Sequence, residues 1–400
     1  MRSLGLGMLL VVGGLLGTAG RLHAACDETC SSGVIDSSFC VTGTPTDVGA
    51  VTQPASVVFR DGGAAGYVGP YLLWTFGDTL YTGHSQTAAV SPPLVPGFMS
   101  HSEELDASGV PFQFVPFTSQ ETDHNLNQQR DAHCNAGRCA FDTRVTCTLD
   151  TDCLGRYALW PTRPVEVSSS GCATRWSSSC TGTGAIYFGK YFIRKYVQGT
   201  TDPCNLCYVW LGTGLAQVSE GPPLTFSTRA QRQVDGLFVP GDPAFAPMLV
   251  EGGYIYLAAH GSGGAKFARV AVGSRASRGA YTYWHANPGG GGSWTTSIGS
   301  ATVDPNFNGE TVSWNPFVGK YIATWAMPFT TDFYILASST VHGPWSQPVK
   351  VWTGPAGAGY PEEHPEVALP AGVGQTIYMS YSAYNGNAIR VVRFQLKRVP

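Results

Sequence analysis

The sequence predicts an all-β fold, and three observations lead to this prediction. Glycine accounts for 50 of the 400 residues and proline for 27, which favours many turns over long helices. Aromatic residues make up 12% of the chain, so a sizeable core can form. Apolar and polar residues alternate with the period of two that is typical of strands, and no helical period of ten residues or more stands out.

Short segments rich in aromatic and β-branched residues are candidate strand cores. Five of them follow a glycine-bearing turn, and three are followed by another candidate strand. The five are residues 71–76, 185–188, 254–259, 321–325 and 376–381, and the followers are residues 208–211, 333–337 and 389–394. A glycine-bounded unit of antiparallel strands, repeated about five times, predicts a five-bladed β-propeller. A two-sheet sandwich is the alternative, but it would not favour a repeated turn–strand–strand unit.

The chain begins like an exported protein. An arginine precedes an apolar stretch at residues 4–16, and Ala24 and Ala25 supply a cleavage site, so residues 1–25 are predicted to be a signal peptide. Cleavage there leads to a secreted or cell-surface protein. Lipid anchoring at Cys26 is disfavoured because His23 stands where a lipoprotein signal has leucine. No later segment approaches a membrane span.

Eleven cysteines mark the parts that do not fit the strand repeat. In an exported protein most of them should form disulfides, and the pair Cys204 and Cys207 is interpreted in this way. We predict a disulfide-tied N-terminal extension at residues 26–45, followed by a propeller domain at residues 46–400. A cysteine-rich insertion interrupts that domain at about residues 118–155. Because the number of cysteines is odd, one of them remains unpaired, and Cys26 is a candidate for this cysteine.

Three acids of the insertion, Asp142, Asp150 and Asp152, carry the hard oxygen ligands that calcium prefers. A structural calcium is therefore one interpretation, and a solvated disulfide loop is the favoured one because no full calcium-loop spacing is present. No other cofactor is expected. The formal net charge of −3 gives no reason to expect a nucleic-acid partner, which needs a basic face. We expect a monomer.

The densest polar cluster joins segments 60–63 and 74–79. Asp61 precedes a glycine turn and Asp78 follows an apolar strand, so in a propeller both could point into the central funnel. Paired carboxylates are what glycoside hydrolysis needs, because one protonates the leaving oxygen while the other activates water or attacks the sugar. Arg60 could keep one of them ionised. The alternative is that both aspartates only stabilise turns.

Two further segments carry reserve acids. Asp242 opens the third repeat and is held extended by the proline after it, although it is also an ordinary turn residue. Residues 360–366 combine three glutamates and one histidine between prolines, and Glu363, His364 and Glu366 are the functional candidates. A solvated loop is the alternative for this segment.

Sugar-binding candidates come from aromatic and amide side chains next to these acids. Trp314 and Asn315 could stack on a sugar ring and hydrogen-bond to it, and Trp74 lies beside the aspartate pair. A core position is an equally good interpretation of Trp314. Esterase, metalloprotease and phosphate-loop motifs are absent from the sequence.

Several short motifs resemble the domain-of-unknown-function 4185 family. They are Arg60-Asp61-Gly62-Gly63, Trp74-Thr75-Phe76-Gly77-Asp78-Thr79, Trp160-Pro161, Ile186-Tyr187-Phe188-Gly189-Lys190, Ser313-Trp314-Asn315-Pro316, Gly319-Lys320-Tyr321, His364-Pro365-Glu366 and Ile377-Tyr378-Met379-Ser380-Tyr381-Ser382. The resemblance spans about residues 45–397. It implies a five-bladed propeller like those of arabinanase-type glycoside hydrolases, and some relatives resemble endo-D-arabinanases. It also implies that Asp61 and Asp78 are the catalytic pair. The cysteine-rich insertion departs from the family pattern.

Two functional hypotheses follow from these observations. The first is a secreted glycoside hydrolase that acts on a cell-wall or extracellular polysaccharide, one containing arabinofuranose according to the resemblance. The second is a non-catalytic propeller for glycan binding or cell-surface adhesion. Properly placed carboxylates in one pocket distinguish the first from the second.

Overall fold

The computed structural model describes residues 29–80, 87–91, 103–127, 132–173, 175, 177–194, 208–221, 227–261, 263–309, 311–327, 330–367, 374–383 and 388–400. Within these ranges the chain forms 27 strands, one α-helix and a few short 3-10 turns. No helix of this part of the chain is long and apolar enough to cross a membrane. The proposed signal peptide, Cys26 and the pair Cys204 and Cys207 lie outside the described residues.

The first sheet follows a long N-terminal strand. The strands, in chain order, are β1 (Phe39–Ala50), β2 (Phe59–Arg60), β3 (Ala64–Val68), β4 (Tyr71–Phe76), β5 (Thr79–Leu80) and β6 (Thr87–Ser91). Strands β3, β4 and β6 form an antiparallel sheet in that order, and β2 pairs with β5. Between β3 and β4 the chain turns at Gly69, whose φ of +58° suits glycine.

The cysteine-rich insertion follows and contains the one α-helix found among the described residues. Its elements are α1 (Ser119–Leu126), β7 (Cys134–Asn135), β8 (Arg138–Cys139) and β9 (Asp142–Thr146). Thr118 and Glu121 cap each other's backbone N–H groups at the start of α1, which is a capping box. Disulfides Cys134–Cys147 and Cys139–Cys153 hold the small β-sheet together.

Three further sheets are built in chain order. The second contains β10 (Gly155–Pro161), β11 (Val165–Ser170), β12 (Thr181–Arg194), β13 (Tyr208–Glu220) and β14 (Gln231–Phe238). The third contains β15 (Ala246–Glu251), β16 (Tyr254–Gly261), β17 (Gly264–Ala271), β18 (Thr282–Ala286), β19 (Gly292–Thr295) and β20 (Val303–Asp304). The fourth contains β21 (Thr311–Asn315), β22 (Lys320–Ala326), β23 (Asp332–Ser338) and β24 (Val349–Thr353).

The fifth sheet joins the two ends of the chain. It contains β25 (Ala358–Glu363), β26 (Thr376–Ala383) and β27 (Ala388–Arg398), and β1 completes it by pairing antiparallel with β27. Part of the segment that the sequence suggested as an extension is therefore a strand of this sheet, and Cys30–Cys40 ties its start. A fourth disulfide, Cys172–Cys180, closes the loop between β11 and β12.

The strand predictions are confirmed. All eight candidate segments lie in strands, and the five that follow a glycine turn are β4, β12, β16, β22 and β26. Each of these five lies inside its sheet, with a strand on both sides. Central strands are buried on both faces, which is why the aromatic and β-branched pattern is strongest there.

The five sheets contact one another in a closed cycle. The strands β3, β11, β15, β21 and β25 touch in that order, and β25 touches β3 again. Five hydrophobic clusters fill the successive contacts between neighbouring sheets. Leu73 and Ile186 lie between the first and second sheets, Leu215 and Ile255 between the second and third, and Phe267 and Leu336 between the third and fourth. Phe333 and Ile377 lie between the fourth and fifth sheets, and Trp74 and Ile389 between the fifth and first. Each such side chain contributes roughly 1.5–3 kcal/mol when fully buried, so apolar packing between the sheets holds the ring together.

Candidate functional site

A cavity of about 320 Å³ opens where the first, second, third and fifth sheets meet. Polar residues line it from the first sheet and from the fifth, and aromatic residues line it from the second. The lining includes Asp61, Thr75, Asp78, Trp160, Arg163, Tyr191, Trp210, Phe245, His260, Tyr360 and Glu362. A concave site with a mixed aromatic and carboxylate lining suits a polar ligand that has apolar faces.

Asp61 and Asp78 are neighbours at a break in the pairing of β2 with β5. The backbone N–H of Asp61 donates to the Asp78 carbonyl at 2.8 Å, and the N–H of Gly77 donates to the Asp61 carbonyl at 2.7 Å. Gly77 and Asp78 therefore lie opposite the single residue Asp61, as in a β-bulge. A β-bulge changes the direction of the side chains and is common beside active sites. Both aspartates line the cavity.

The carboxylate of Asp61 is held by the fifth sheet. Its Oδ1 accepts from the N–H of Gly62 at 2.8 Å and from the hydroxyl of Ser382 at 3.1 Å. Ser382 is fully buried and also accepts from the N–H of Gly62 at 2.9 Å. This network fixes the orientation of one carboxylate oxygen.

The carboxylate of Asp78 is held by the second sheet. The guanidinium of Arg156 donates to both oxygens at 3.2 Å, and the indole N–H of Trp160 donates to Oδ1 at 3.2 Å. Three donor contacts of this kind fix the direction of the carboxylate. The two aspartates thus share a backbone junction but have different partners.

A second group of acids lies on β25 and just after it, in the fifth sheet. Glu362 lines the cavity, and its buried Oε2 has no hydrogen-bond partner among the described residues. Burial raises the pKa of Glu362, Arg163 lowers it and Glu366 raises it. Glu366 itself forms an ion pair with Arg163, and both side chains are about nine-tenths buried. A carboxyl group that keeps its proton near neutral pH is suited to proton donation.

Glu363, a sequence candidate, points away from the cavity. It is buried, its Oε2 accepts from the hydroxyl of Ser313 at 2.8 Å, and its backbone N–H donates to Thr311 at 2.9 Å. Burial raises the pKa of Glu363 to about 7, and the hydrogen bond from Ser313 opposes this. The residue therefore joins β25 to β21.

Aromatic side chains form the rest of the lining. Tyr191 and Trp210 are cross-strand neighbours on β12 and β13, and Trp160 lies on β10 next to them. Tyr360 on β25 also lines the cavity, and it is 53% exposed with a φ of +52° that is rare for a residue other than glycine. Such a backbone costs about 1–3 kcal/mol and is typically found at functional sites.

Other residues suggested by the sequence do not line the cavity. Arg60 is 1% exposed, pairs with both oxygens of Glu103 and lies 4.2 Å from the ring centroid of Phe76. Trp74 is fully buried, with its ring centroid 4.6 Å from that of His364. These residues support the wall behind Asp61 and Asp78.

His364 is likewise buried, and its Nε2 is 2.7 Å from the hydroxyl of Ser380. That hydroxyl donates to the carbonyl of Gly63 at 2.9 Å. The imidazole therefore links β25 and β26 to the loop that carries Asp61. Its place in the structure is one of support rather than of direct contact with a ligand.

The last three candidates lie elsewhere. Asp242 accepts from the N–H of Val239 at 2.9 Å and pairs with Arg278 at 2.8 Å, as a turn residue does. Asn315 is buried and donates to the carbonyl of Gly374 at 2.8 Å. Trp314 is 49% exposed and lies outside the cavity lining. None of them meets the aspartate pair.

The acids of the insertion have separate partners. Asp142 pairs with Arg144, Asp150 accepts from the N–H of Cys134, and Asp152 accepts from Thr148. They do not converge on one point. The cluster of metal-ligating side chains found among the described residues consists of Cys139, Cys147 and Cys153, all of which are in disulfides.

Sequence reasoning missed several lining residues. The sequence singled out Glu363 and Glu366 and treated Glu362 only as one member of an acidic segment. Glu362 and Glu363 are adjacent in β25, so their side chains point to opposite faces of the strand. Tyr191, Trp210 and His260 gave no local signal, because each looks like an ordinary aromatic residue or histidine in a strand. Trp160 stands in one of the motifs that resemble the family described above.

Comparisons with known proteins support the fold. No protein-family model and no curated protein matches the chain. A solved structure from Bacteroides ovatus ATCC 8483, named a "putative hydrolase", is 16% identical with a TM-score of 0.52, covering 86% of this chain and 87% of that one. The two chains share a fold.

Two other structures are less similar. An exo-beta-1,3-galactanase from Phanerochaete chrysosporium, solved with beta-1,3-galactotriose, has a TM-score of 0.39 at 11% identity, covering 91% of this chain and 64% of its own. The PQQ-bound aldose sugar dehydrogenase from Streptomyces coelicolor has a TM-score of 0.32 at 10% identity, covering 91% and 100%. Scores at this level do not establish a shared fold.

Proposed function

We propose that the protein is an exported glycoside hydrolase with a five-bladed propeller fold. The closed cycle of five antiparallel sheets supports the fold, because blades around an axis contact their neighbours in this way. Asp61 and Asp78, joined at one bulge and facing one aromatic cavity, carry the functional proposal. The four disulfides support export, since such bonds persist in oxidising compartments.

The reaction needs two carboxyl groups with different proton states. One donates its proton to the glycosidic oxygen while the bond from that oxygen to the anomeric carbon breaks. The other, ionised, takes a proton from water as the water oxygen bonds to the anomeric carbon, or attacks that carbon itself before water does. The products are two shorter sugar chains, and one water molecule is consumed.

We assign the ionised role to Asp78 and consider two acids for proton donation. Asp78 receives donors from Arg156 and Trp160, which stabilise its negative charge. Asp61 is its backbone neighbour, and Glu362 lines the same cavity, where burial raises its pKa. Aromatic side chains beside these acids would stack on the apolar faces of sugar rings.

The substrate we propose is a polysaccharide, and furanose-containing chains are the first to test. This choice rests on the motif resemblance to the family of unknown function described above. The decisive experiment is a panel of polysaccharides, arabinan and arabinogalactan included, with assay of released reducing ends. Asp61→Asn and Asp78→Asn should each lower the rate by at least roughly 100-fold, the lower end of general acid–base contributions.

The matched control is Asp242→Asn, which also removes one carboxylate from a turn but lies outside the cavity. It should keep the rate of the unaltered protein, and thermal unfolding should show that all three variants remain folded. Full activity in Asp78→Asn would remove the assignment, and full activity in Asp61→Asn would leave Glu362 as the proton donor. Release of no sugar from any polysaccharide, with binding retained, would favour the glycan-binding alternative, which the aromatic lining also suits.

A further inference from the structure

Three aromatic rings on the second sheet form a cluster that begins in the cavity and ends outside it. The ring centroids of Trp160 and Tyr191 are 4.4 Å apart, and both rings lie near Tyr208, at 5.6 Å and 5.5 Å. Trp160 and Tyr191 line the cavity, whereas Tyr208 is outside the lining and is 58% exposed. An exposed aromatic ring fixed by two others presents a rigid apolar face.

The sheet register explains why the rings meet. Trp160 on β10 lies opposite Gly189 on β12, and Tyr208 on β13 lies opposite Ile193. A Cβ atom at Gly189 would come within 2.5 Å of the Tyr191 ring. The glycine therefore leaves the space in which the rings of Tyr191 and Trp160 approach each other, and any larger residue would separate them.

The cluster is connected to the candidate catalytic acids. The indole N–H of Trp160 donates to Asp78 at 3.2 Å, so the ring that starts the cluster also orients a carboxylate. A ligand resting on Trp160 would have its polar groups beside Asp78, and a continuation of that ligand would reach Tyr208. Tyr208 contacts the rings of Trp160 and Tyr191 and lies outside the cavity lining, so it belongs to the outer end.

We infer that Tyr208 and its two neighbours form an outer subsite for a further sugar ring, so that the site takes glycan chains longer than the cavity holds. The inference rests on the proposed function for the class of ligand. A sugar ring suits the cluster because its C–H face can stack on an aromatic ring while its hydroxyl groups stay in water. Continuity with the cavity favours a second unit of the same chain as the occupant.

The test measures affinity against chain length. Arabinofuranose oligosaccharides of two to eight units are titrated calorimetrically into the full chain carrying Asp61→Asn and Glu362→Gln, which removes both candidate proton donors and so slows hydrolysis of the ligand. Tyr208→Ala added to this background should weaken binding of the longest oligosaccharide roughly three- to tenfold. Binding of the shortest should stay within about twofold, because it is held inside the cavity. Tyr208→Phe should restore the affinity, since it keeps the ring.

The matched control is Trp314→Ala, which removes another half-exposed aromatic side chain that lies outside the cavity. It should change the affinity for no oligosaccharide. Equal weakening at every length, no weakening at all, or no binding by any member of the series would overturn the inference. Length-dependent binding that needs Tyr208, without hydrolysis by the unaltered protein, would instead contradict only the proposed catalysis.

Discussion

Arg163 forms an ion pair with Glu366, and the same guanidinium also acts on Glu362 in the cavity wall. The pair is buried, with 10% and 8% of the two side chains exposed. Glu366 raises the pKa of Glu362 and Arg163 lowers it, while burial is the largest cause and raises it. The balance between these residues sets the pH at which Glu362 releases its proton.

Glu366→Gln should therefore lower the pKa of Glu362. If Glu362 is the proton donor, hydrolysis is lost as pH rises through its pKa, and the variant should lose activity at lower pH than the unaltered protein does. The pH profile of kcat/KM measures this, because it reports groups of the free enzyme. Glu362→Gln should remove the alkaline limb along with most of the activity. An unmoved limb in Glu366→Gln would assign proton donation to Asp61 instead.

Glu121→Gln should destabilise the protein by about 3–5 kcal/mol, the cost of breaking a buried pair from one side. Glu121 is 2% exposed in its side chain and pairs with both Lys190 and Arg232. The change leaves Lys190 buried without this carboxylate and leaves Arg232 paired with the half-exposed Asp235. Urea unfolding at pH 7 measures the loss. A loss of less than about 1 kcal/mol in the free energy of unfolding would mean that water can replace the carboxylate as a partner of the two cations.

The carboxylate of Glu121 should also make the stability of the protein depend on pH in the acid range. Burial alone raises the pKa of Glu121, but hydrogen bonds from Arg232 and Lys190 outweigh burial and lower the pKa from 4.5 to about 2. Its contribution to the free energy of unfolding is therefore complete above pH 4.5 and is lost as pH falls towards 2. Stability measured between these values should fall less steeply in Glu121→Gln.

Glu220→Gln should stabilise the protein at alkaline pH. Burial raises the pKa of Glu220 to about 8, and one hydrogen bond from the N–H of Ser227 opposes this. The folded state keeps a proton that the unfolded state releases near pH 4.5, so stability is lost as pH rises through about 8. The variant should be more stable at pH 9 and little changed at pH 4, as thermal unfolding at both values would show.

Gly66→Ala should cost about 1–3 kcal/mol, as overpacking does in a core. A Cβ atom at Gly66 would lie 2.1 Å from the carbonyl oxygen of Pro164, so β3 and the chain before β11 would have to separate. Gly273→Ala is the matched control, because nothing lies within 4 Å of a Cβ there. Equal thermal stability of the two variants would show that the two segments can move apart freely.

The sequence predicted the central strands well and the edges of the sheets poorly. Strand β4 was predicted with the bounds it has, because residues 71–76 are apolar and follow a tight turn at Gly69. Strand β1 was not predicted, since much of it is polar and exposed and its pairing with β27 depends on a partner some 350 residues away. Local patterns carry no information about such distant pairing.

The site could be predicted only where chemistry and turn geometry coincide. Asp61 and Asp78 were found because each stands beside a glycine at the end of a strand. Arg60 has the same neighbours, yet its side chain turns inward to Glu103, which is 43 residues away in the chain. Trp210 shows the opposite case, as nothing near it in sequence reveals that β13 carries it to the cavity. In both cases, residues that are distant in the sequence determine where the side chain lies.

The pairing of β1 with β27 also sets a time order for assembly. Phe39 lies opposite Arg398. The fifth sheet therefore takes β1 from the beginning of the described chain and β27 from its end. During synthesis of the chain, β1 is made hundreds of residues before its partner strand exists. The fifth sheet can thus be completed only after β27 has been made, and a product cut short before β27 would leave β1 as an unpaired edge, available to join a strand of another molecule.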